Sequence, residues 1–71
     1  SAREFKTLLK NVRNAACWQV LNYIYGQFYT EGQTAKALKH TKTWVQIKRR
    51  EGVKAFTQAN KEFLKEWERT A

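Results

Sequence analysis

No proline interrupts this chain, and glycine stands at only three positions, 26, 32 and 52. With so few breakers, the turn signals that punctuate β-hairpins are missing and helix is free to run. Cysteine occurs once, at position 17, so no internal disulfide can form. Histidine also occurs once, at position 40. One of each provides neither a zinc-binding set nor a Ser/His/Asp or Cys/His dyad for nucleophilic catalysis. A glycine-rich phosphate loop is absent too. The six acids are all glutamates, and Glu62 and Glu66 are interleaved with lysine, which makes them surface pairs rather than a metal site. A non-enzymatic role with no metal, cofactor or small-molecule substrate is therefore expected. No apolar run approaches the roughly 18 residues of a membrane span, and no signal peptide is visible. Those absences predict a cytoplasmic protein with no membrane partner.

What remains is apolar enough to fold. Hydrophobic residues make up 42% of the 71, with three Trp, three Tyr and four Phe, which is too rich for a disordered tail. The length fits one domain near the lower limit for folding without staples. Strand-like alternation appears nowhere, so the reading is all-α: a small bundle of four to five helices over 1–71.

The apolar residues mark the helices. Phe5, Leu8, Leu9 and Val12 form one stripe and Cys17, Val20, Leu21, Ile24 and Phe28 another, rotated by roughly a third of a turn at about 100° per residue. Asn14 suits an N-cap at the shift. This predicts helix over about 3–12 and about 14–29, with one bent helix as the alternative. Gly32 marks a break before a third helix, about 33–39, with Ala35 and Leu38 inward. Thr41 then caps a fourth, about 42–51, which Gly52 is placed to stop. A last helix, about 55–69, carries Phe56, Ala59, Phe63 and Trp67 on one stripe, with Glu62–Lys65 and Glu66–Arg69 outside it.

Charge is concentrated on one of these units. Between Lys36 and Lys54, seven bases face a single acid, Glu51, for a net +6 of the chain's +8. Such focusing points to a polyanionic partner. The segment also has helix-turn-helix spacing over about 33–51. Ala35 is the small residue at a helix crossing, Leu38 the apolar residue before the turn, Thr41 the cap and Val45 the anchor of the second helix.

Residues 31–53 resemble helix-turn-helix regulators of the excisionase and MerR type, whose second helix ends in an Arg-Glu-Gly-like sequence, here Arg50-Glu51-Gly52. The same window is similar to CII-type activators of lambdoid phages in Thr34-Ala35-Lys36-Ala37-Leu38 and in the basic end of the second helix. The resemblance implies a phage- or plasmid-like regulator of transcription, or an accessory factor in recombination or replication, with helix 42–51 in the major groove of double-stranded DNA. The chain departs from that pattern in three ways. Lys39 stands where glycine is usual and His40 where an apolar residue is usual. Lys48 takes a late core position, with apolar Ile47 one place earlier. No β-wing pattern follows Gly52. Trp44 to Arg49 is also similar to homeodomain recognition helices, but Ile47 replaces the asparagine that pairs with adenine there.

Two rotations of the fourth helix are open. With Trp44, Val45 and Ile47 inward, Lys42, Gln46, Arg49 and Arg50 face out; in the usual register Thr43, Gln46 and Arg50 do. Gln46 and Arg50 suit adenine and guanine edges respectively. Lys36, Lys39, Lys42 and Lys54 are cast as phosphate contacts, and the backbone N–H groups of Gln33 and Thr34 as phosphate donors at a helix start. Trp18, Asn22, Tyr25 and Tyr29 share a second face of the 14–29 helix. They are read either as a homodimer seam or as burial between the first and last helices. Cys17 is read as inert core and His40 as an exposed turn residue. Two rivals are a protein–protein adaptor or inhibitor docking through the aromatic 14–29 face, and a cationic membrane-active helix.

Overall fold

The computed structural model describes the backbone of residues 2–70 and the side chains of residues 4–66. Five α-helices follow one another: α1 (Ala2–Leu9), α2 (Ala15–Leu21), α3 (Glu31–Leu38), α4 (Lys42–Ala59) and α5 (Lys61–Thr70). A π-helical turn, Asn22–Gly26, extends α2. The fold is all-α, and no strand occurs among the described residues. The side chains of Trp67 and Arg69, assigned above to the last helix, lie outside the described residues.

Local chemistry sets the boundaries. α1 ends at Leu9 rather than near 12, in a turn where Val12 N–H donates to the Leu9 carbonyl (3.0 Å). Asn14 caps α2 by accepting the Cys17 N–H at 3.1 Å, so the chain forms two helices and not one bent one. The second helix does not run on to 29. In the π turn Gln27 N–H reaches back five residues to the Asn22 carbonyl (3.0 Å), and Phe28 then adopts a left-handed φ of 60°. The widened turn and this exit take Phe28 off the apolar stripe, and it is 85% exposed instead of buried.

Gly32 is not a break but lies in the first turn of α3, which begins two residues earlier than expected. Thr30 and Gln33 form a reciprocal capping box: Thr30 Oγ1 accepts the Gln33 N–H (3.0 Å), and Gln33 Oε1 accepts the Thr30 N–H (2.9 Å). Nor does Gly52 end α4, which continues for seven more residues. A Cβ at Gly52 would sit 3.1–3.3 Å from the side chains of Leu21 and Cys17. The glycine permits close packing of α4 on α2 and does not act as a stop signal. The expected last helix is consequently divided: Phe56 and Ala59 belong to α4, Phe63 to α5, and Asn60 stands between them.

α2 is the central element, with a core cluster on each side. Leu9, Val12, Cys17 and Leu21 are buried with Phe5, Ala55 and Phe56 packed against them, joining α1, α2 and the C-terminal half of α4. Val20, Ala35 and Val45 are buried with Ile24, Leu38 and Trp44, joining α2, α3 and the N-terminal half of α4. The cover over α2 is thus α4 and α3 together with α1; of the expected last helix 55–69, Ala55 and Phe56 share in it, as part of α4.

Asn60 fastens the far end. Only 4% exposed, it donates from Nδ2 to the carbonyls of Leu8 (3.2 Å) and Phe56 (2.9 Å) and accepts from Asn11 Nδ2 at 2.7 Å. Replacing Asn60 with Ala removes all three bonds from a buried site and should cost about 2–3 kcal/mol. A lower urea midpoint at unchanged m-value would register that loss, whereas an unaltered midpoint would show that water substitutes for the amide. Cys17 is buried, and burial, reinforced by Glu51, pushes its thiol up from the ordinary value. Less thiolate is then available at any given pH. Reaction with a disulfide reagent at pH 8 should therefore follow global unfolding, and fast modification of the folded chain would contradict this burial.

Candidate nucleic-acid interface

α3, a three-residue turn and α4 form a helical hairpin whose geometry begins at the turn. Lys39 caps α3 in the left-handed conformation (φ 58°, ψ 43°), the conformation for which glycine is usual there. His40 N–H reaches back to the Ala35 carbonyl at 2.9 Å. Thr41 starts α4 as its N-cap, accepting the Trp44 N–H at 3.0 Å. His40 is exposed, as expected, but its ring stacks on Trp44 at 3.6 Å between centroids and 7° from parallel. The imidazole thus closes over the tryptophan at the hairpin's mouth.

The rotation of α4 follows from what it buries. Val45 and Gly52 are fully covered, and Lys48 is partly buried with its ammonium 3.2 Å from Glu51. Ile47 is 50% exposed. The register with Ile47 inward is therefore overturned, because the close approach at Gly52 places 45, 48 and 52 against the core. At about 100° per residue the opposite face is centred on Thr43, Gln46, Ile47, Arg50 and Lys54, all exposed. An acid is missing from that set. Lys36 and Lys39 are exposed on the last turn of α3 and the connecting turn, and Lys42 opens α4. Among the described residues, Lys36, Lys39, Lys42, Arg50 and Lys54 have no ion-pair partner.

Other expected site residues are engaged elsewhere. Thr34 is completely buried, its hydroxyl and its N–H both bonded to the Thr30 carbonyl (2.9 Å each), and Gln33 N–H is held in the capping box. Neither backbone group is free for a phosphate, because helix 3 starts earlier and satisfies them internally. Arg49 is tied on two sides: Nε donates to the Tyr25 hydroxyl (3.0 Å) and Nη1 to Glu31 Oε2 (3.2 Å). Its guanidinium carbon also lies 5.5 Å from the Tyr25 ring centroid. The hydrogen bonds to Tyr25 and then Glu31 push the Arg49 pKa still higher, so the group is cationic throughout the working range of pH. Gln46 Nε2 makes a longer contact, 3.4 Å, to the other Glu31 oxygen. Glu31, Gln46, Arg49, Arg50 and Val53 line an open depression of about 430 Å³.

The aromatic stripe of the second helix is split by the π turn. Tyr25 faces Arg49 and Phe5, with ring centroids 6.3 Å apart in the latter pair, and helps to line an apolar cavity of about 240 Å³ with Leu21, Val53 and Phe56. Tyr29 packs on Tyr23 at 5.0 Å, while Trp18 stays 38% exposed on α2. Sequence reasoning missed the Glu31–Arg49–Tyr25 connection. Nothing in local spacing marks it, since its partners are 18 and 24 residues apart.

Among the described residues, no group of three or more His, Cys, Asp or Glu could hold a metal ion, and no helix is long and apolar enough to cross a membrane. No protein-family model, curated protein or solved structure matches this chain.

Proposed function

We propose that the chain is a small double-stranded DNA-binding protein that presents α4 to the major groove, in the manner of a helix-turn-helix regulator or a recombination or replication accessory factor. The observation that carries this reading is the outward face of α4: Thr43, Gln46, Ile47, Arg50 and Lys54 are exposed together, and acids are excluded from among them. A major groove about 12 Å wide admits one helix, and its base edges answer these side-chain types. Arg50 matches guanine O6 and N7, Gln46 matches adenine N6 and N7, and Ile47 offers an apolar contact to a thymine methyl. Lys54 on that face and Lys36, Lys39 and Lys42 beside it serve as phosphate contacts, which position the duplex without reading it. The contact helix is 42–59 rather than 42–51 and about 27 Å long at 1.5 Å per residue, so its C-terminal half also lies within reach of a backbone.

Fluorescence anisotropy with a mixed-sequence duplex at low salt should show binding at micromolar protein. The four lysine phosphate contacts imply a slope of about −3.6 in log affinity against log salt concentration. Arg50→Glu should weaken binding about tenfold or more while leaving the thermal midpoint unchanged, because the side chain is exposed and unpaired among the described residues. Absence of binding at micromolar protein, or salt-independent binding, would sink the proposal.

A further inference from the structure

Glu31 stands at the first position of α3 yet reaches across to α4, and both of its carboxylate oxygens are used there. Oε2 accepts from Arg49 Nη1 at 3.2 Å, and Oε1 accepts from Gln46 Nε2 at 3.4 Å. A DNA phosphate would offer Arg49 the same thing, a negatively charged acceptor oxygen, and a base edge would compete for Gln46. We infer that Glu31 is a specificity-determining residue that acts as an internal competitor for DNA phosphate, holding Arg49 and Gln46 so that duplex of arbitrary sequence is bound less tightly. The inference rests on the DNA-binding reading of α4 and concerns how that surface discriminates.

Three observations support a competitor over a simple staple between helices. First, the pair is accessible: the Glu31 side chain is 25% exposed and that of Arg49 41%, so exchange with an incoming anion needs no opening of the core. Second, the alternative state is prepared. Arg49 is also held by the Tyr25 hydroxyl at 3.0 Å, with its guanidinium beside the Tyr25 ring, so release by Glu31 leaves the cation fixed and not wandering. Third, the site is continuous with the outward face, because Glu31, Gln46, Arg49 and Arg50 line one open depression. A phosphate arriving at Arg50 meets Glu31 as a like charge, and Arg49 is already neutralised. A cognate site gains from Gln46 and Arg50 against its base edges and can offset the exchange, whereas arbitrary duplex, binding through phosphates alone, bears it in full.

The test compares wild type, Glu31→Gln and Glu31→Gln/Arg49→Ala by anisotropy with one mixed-sequence duplex of about 20 base pairs at four salt concentrations. Thermal melts by circular dichroism run in parallel. Glutamine keeps an acceptor oxygen for Arg49 but removes the charge. The competitor predicts that Glu31→Gln binds about three- to tenfold tighter at 50–100 mM salt, with a salt slope steeper by about 0.9, one additional phosphate. Adding Arg49→Ala should return the slope to that of wild type. A folded Glu31→Gln protein that binds no more tightly than wild type, with an unchanged slope, overturns the inference and leaves Glu31 a staple. If Glu31→Gln fails to fold, Glu31→Ala is read by the same criteria, and failure of both to fold likewise identifies a staple. Binding by neither wild type nor variants removes the DNA-binding reading and the inference with it. Normal wild-type binding without gain in the variants removes the inference alone.

Discussion

The packing of α4 on α2 depends on a missing methyl group. At Gly52 the two helices approach so closely that a Cβ would lie 3.1–3.3 Å from Leu21 and Cys17. That contact places α4 deep against α2 and, with Val45 buried about two helical turns away, fixes its rotation about its own axis. A glycine inside a helix costs about 1 kcal/mol relative to alanine in exposed positions. Here that cost is offset by the apolar surface of Leu21 and Cys17 that the close approach covers. Everything the outward face presents follows from this crossing, because Thr43, Gln46, Ile47, Arg50 and Lys54 are simply the residues opposite it.

Around that crossing the molecule is held by contrasting means at its two ends. Near the hairpin the fastening is apolar: Val20, Ala35 and Val45 meet with Ile24, Leu38 and Trp44 around them. At the α4–α5 junction it is polar, since Asn60 is buried and fully bonded to α1, α4 and the loop between α1 and α2. A buried amide with every donor and acceptor matched admits few alternative arrangements, which gives a small core a definite register that hydrophobic contacts alone leave loose. On the hairpin side the same role falls to Arg49, which links α4 to the start of α3 and to the π turn.

Much of this was legible in the chain, and the misses share a physical cause. Asn14 and Thr41 act as caps because their side-chain oxygens satisfy helix donors three residues ahead, a purely local relation that spacing reveals. The Thr30–Gln33 box was equally local and was obscured by giving Gly32 the meaning of a break. Gly52 fits a stop in the sequence because glycine has two uses, and only the partner helix tells which applies. The choice between Ile47 and Lys48 for the core went to the charged residue. Its position is dictated by Val45 and Gly52, and a lysine stem can lie along apolar surface while its ammonium meets Glu51. Phe28 left the core because a π turn shifts the phase of every later residue, and no composition signal announces one. Asn60 and the Glu31–Arg49–Tyr25 linkage join residues far apart in the chain and were out of reach of periodicity. The α3–α4 hairpin was therefore legible as a segment, whereas the side chains it exposes were legible only in part.

The continuity of α4 through Gly52 has a mechanical consequence. Had the helix ended there, the basic face and the core contact would have been separate bodies with a hinge between them. As a single 18-residue shaft they share one rotational coordinate. A repacking at Leu21 or Val45 that turned the shaft by 20° would sweep its surface side chains through about 2 Å, given a helix radius of roughly 5–6 Å with side chains. On the DNA-binding reading proposed above, that displacement is enough to take a guanidinium out of register with a base edge. Interior residues thus act as the bearing in which the exposed basic face is aimed.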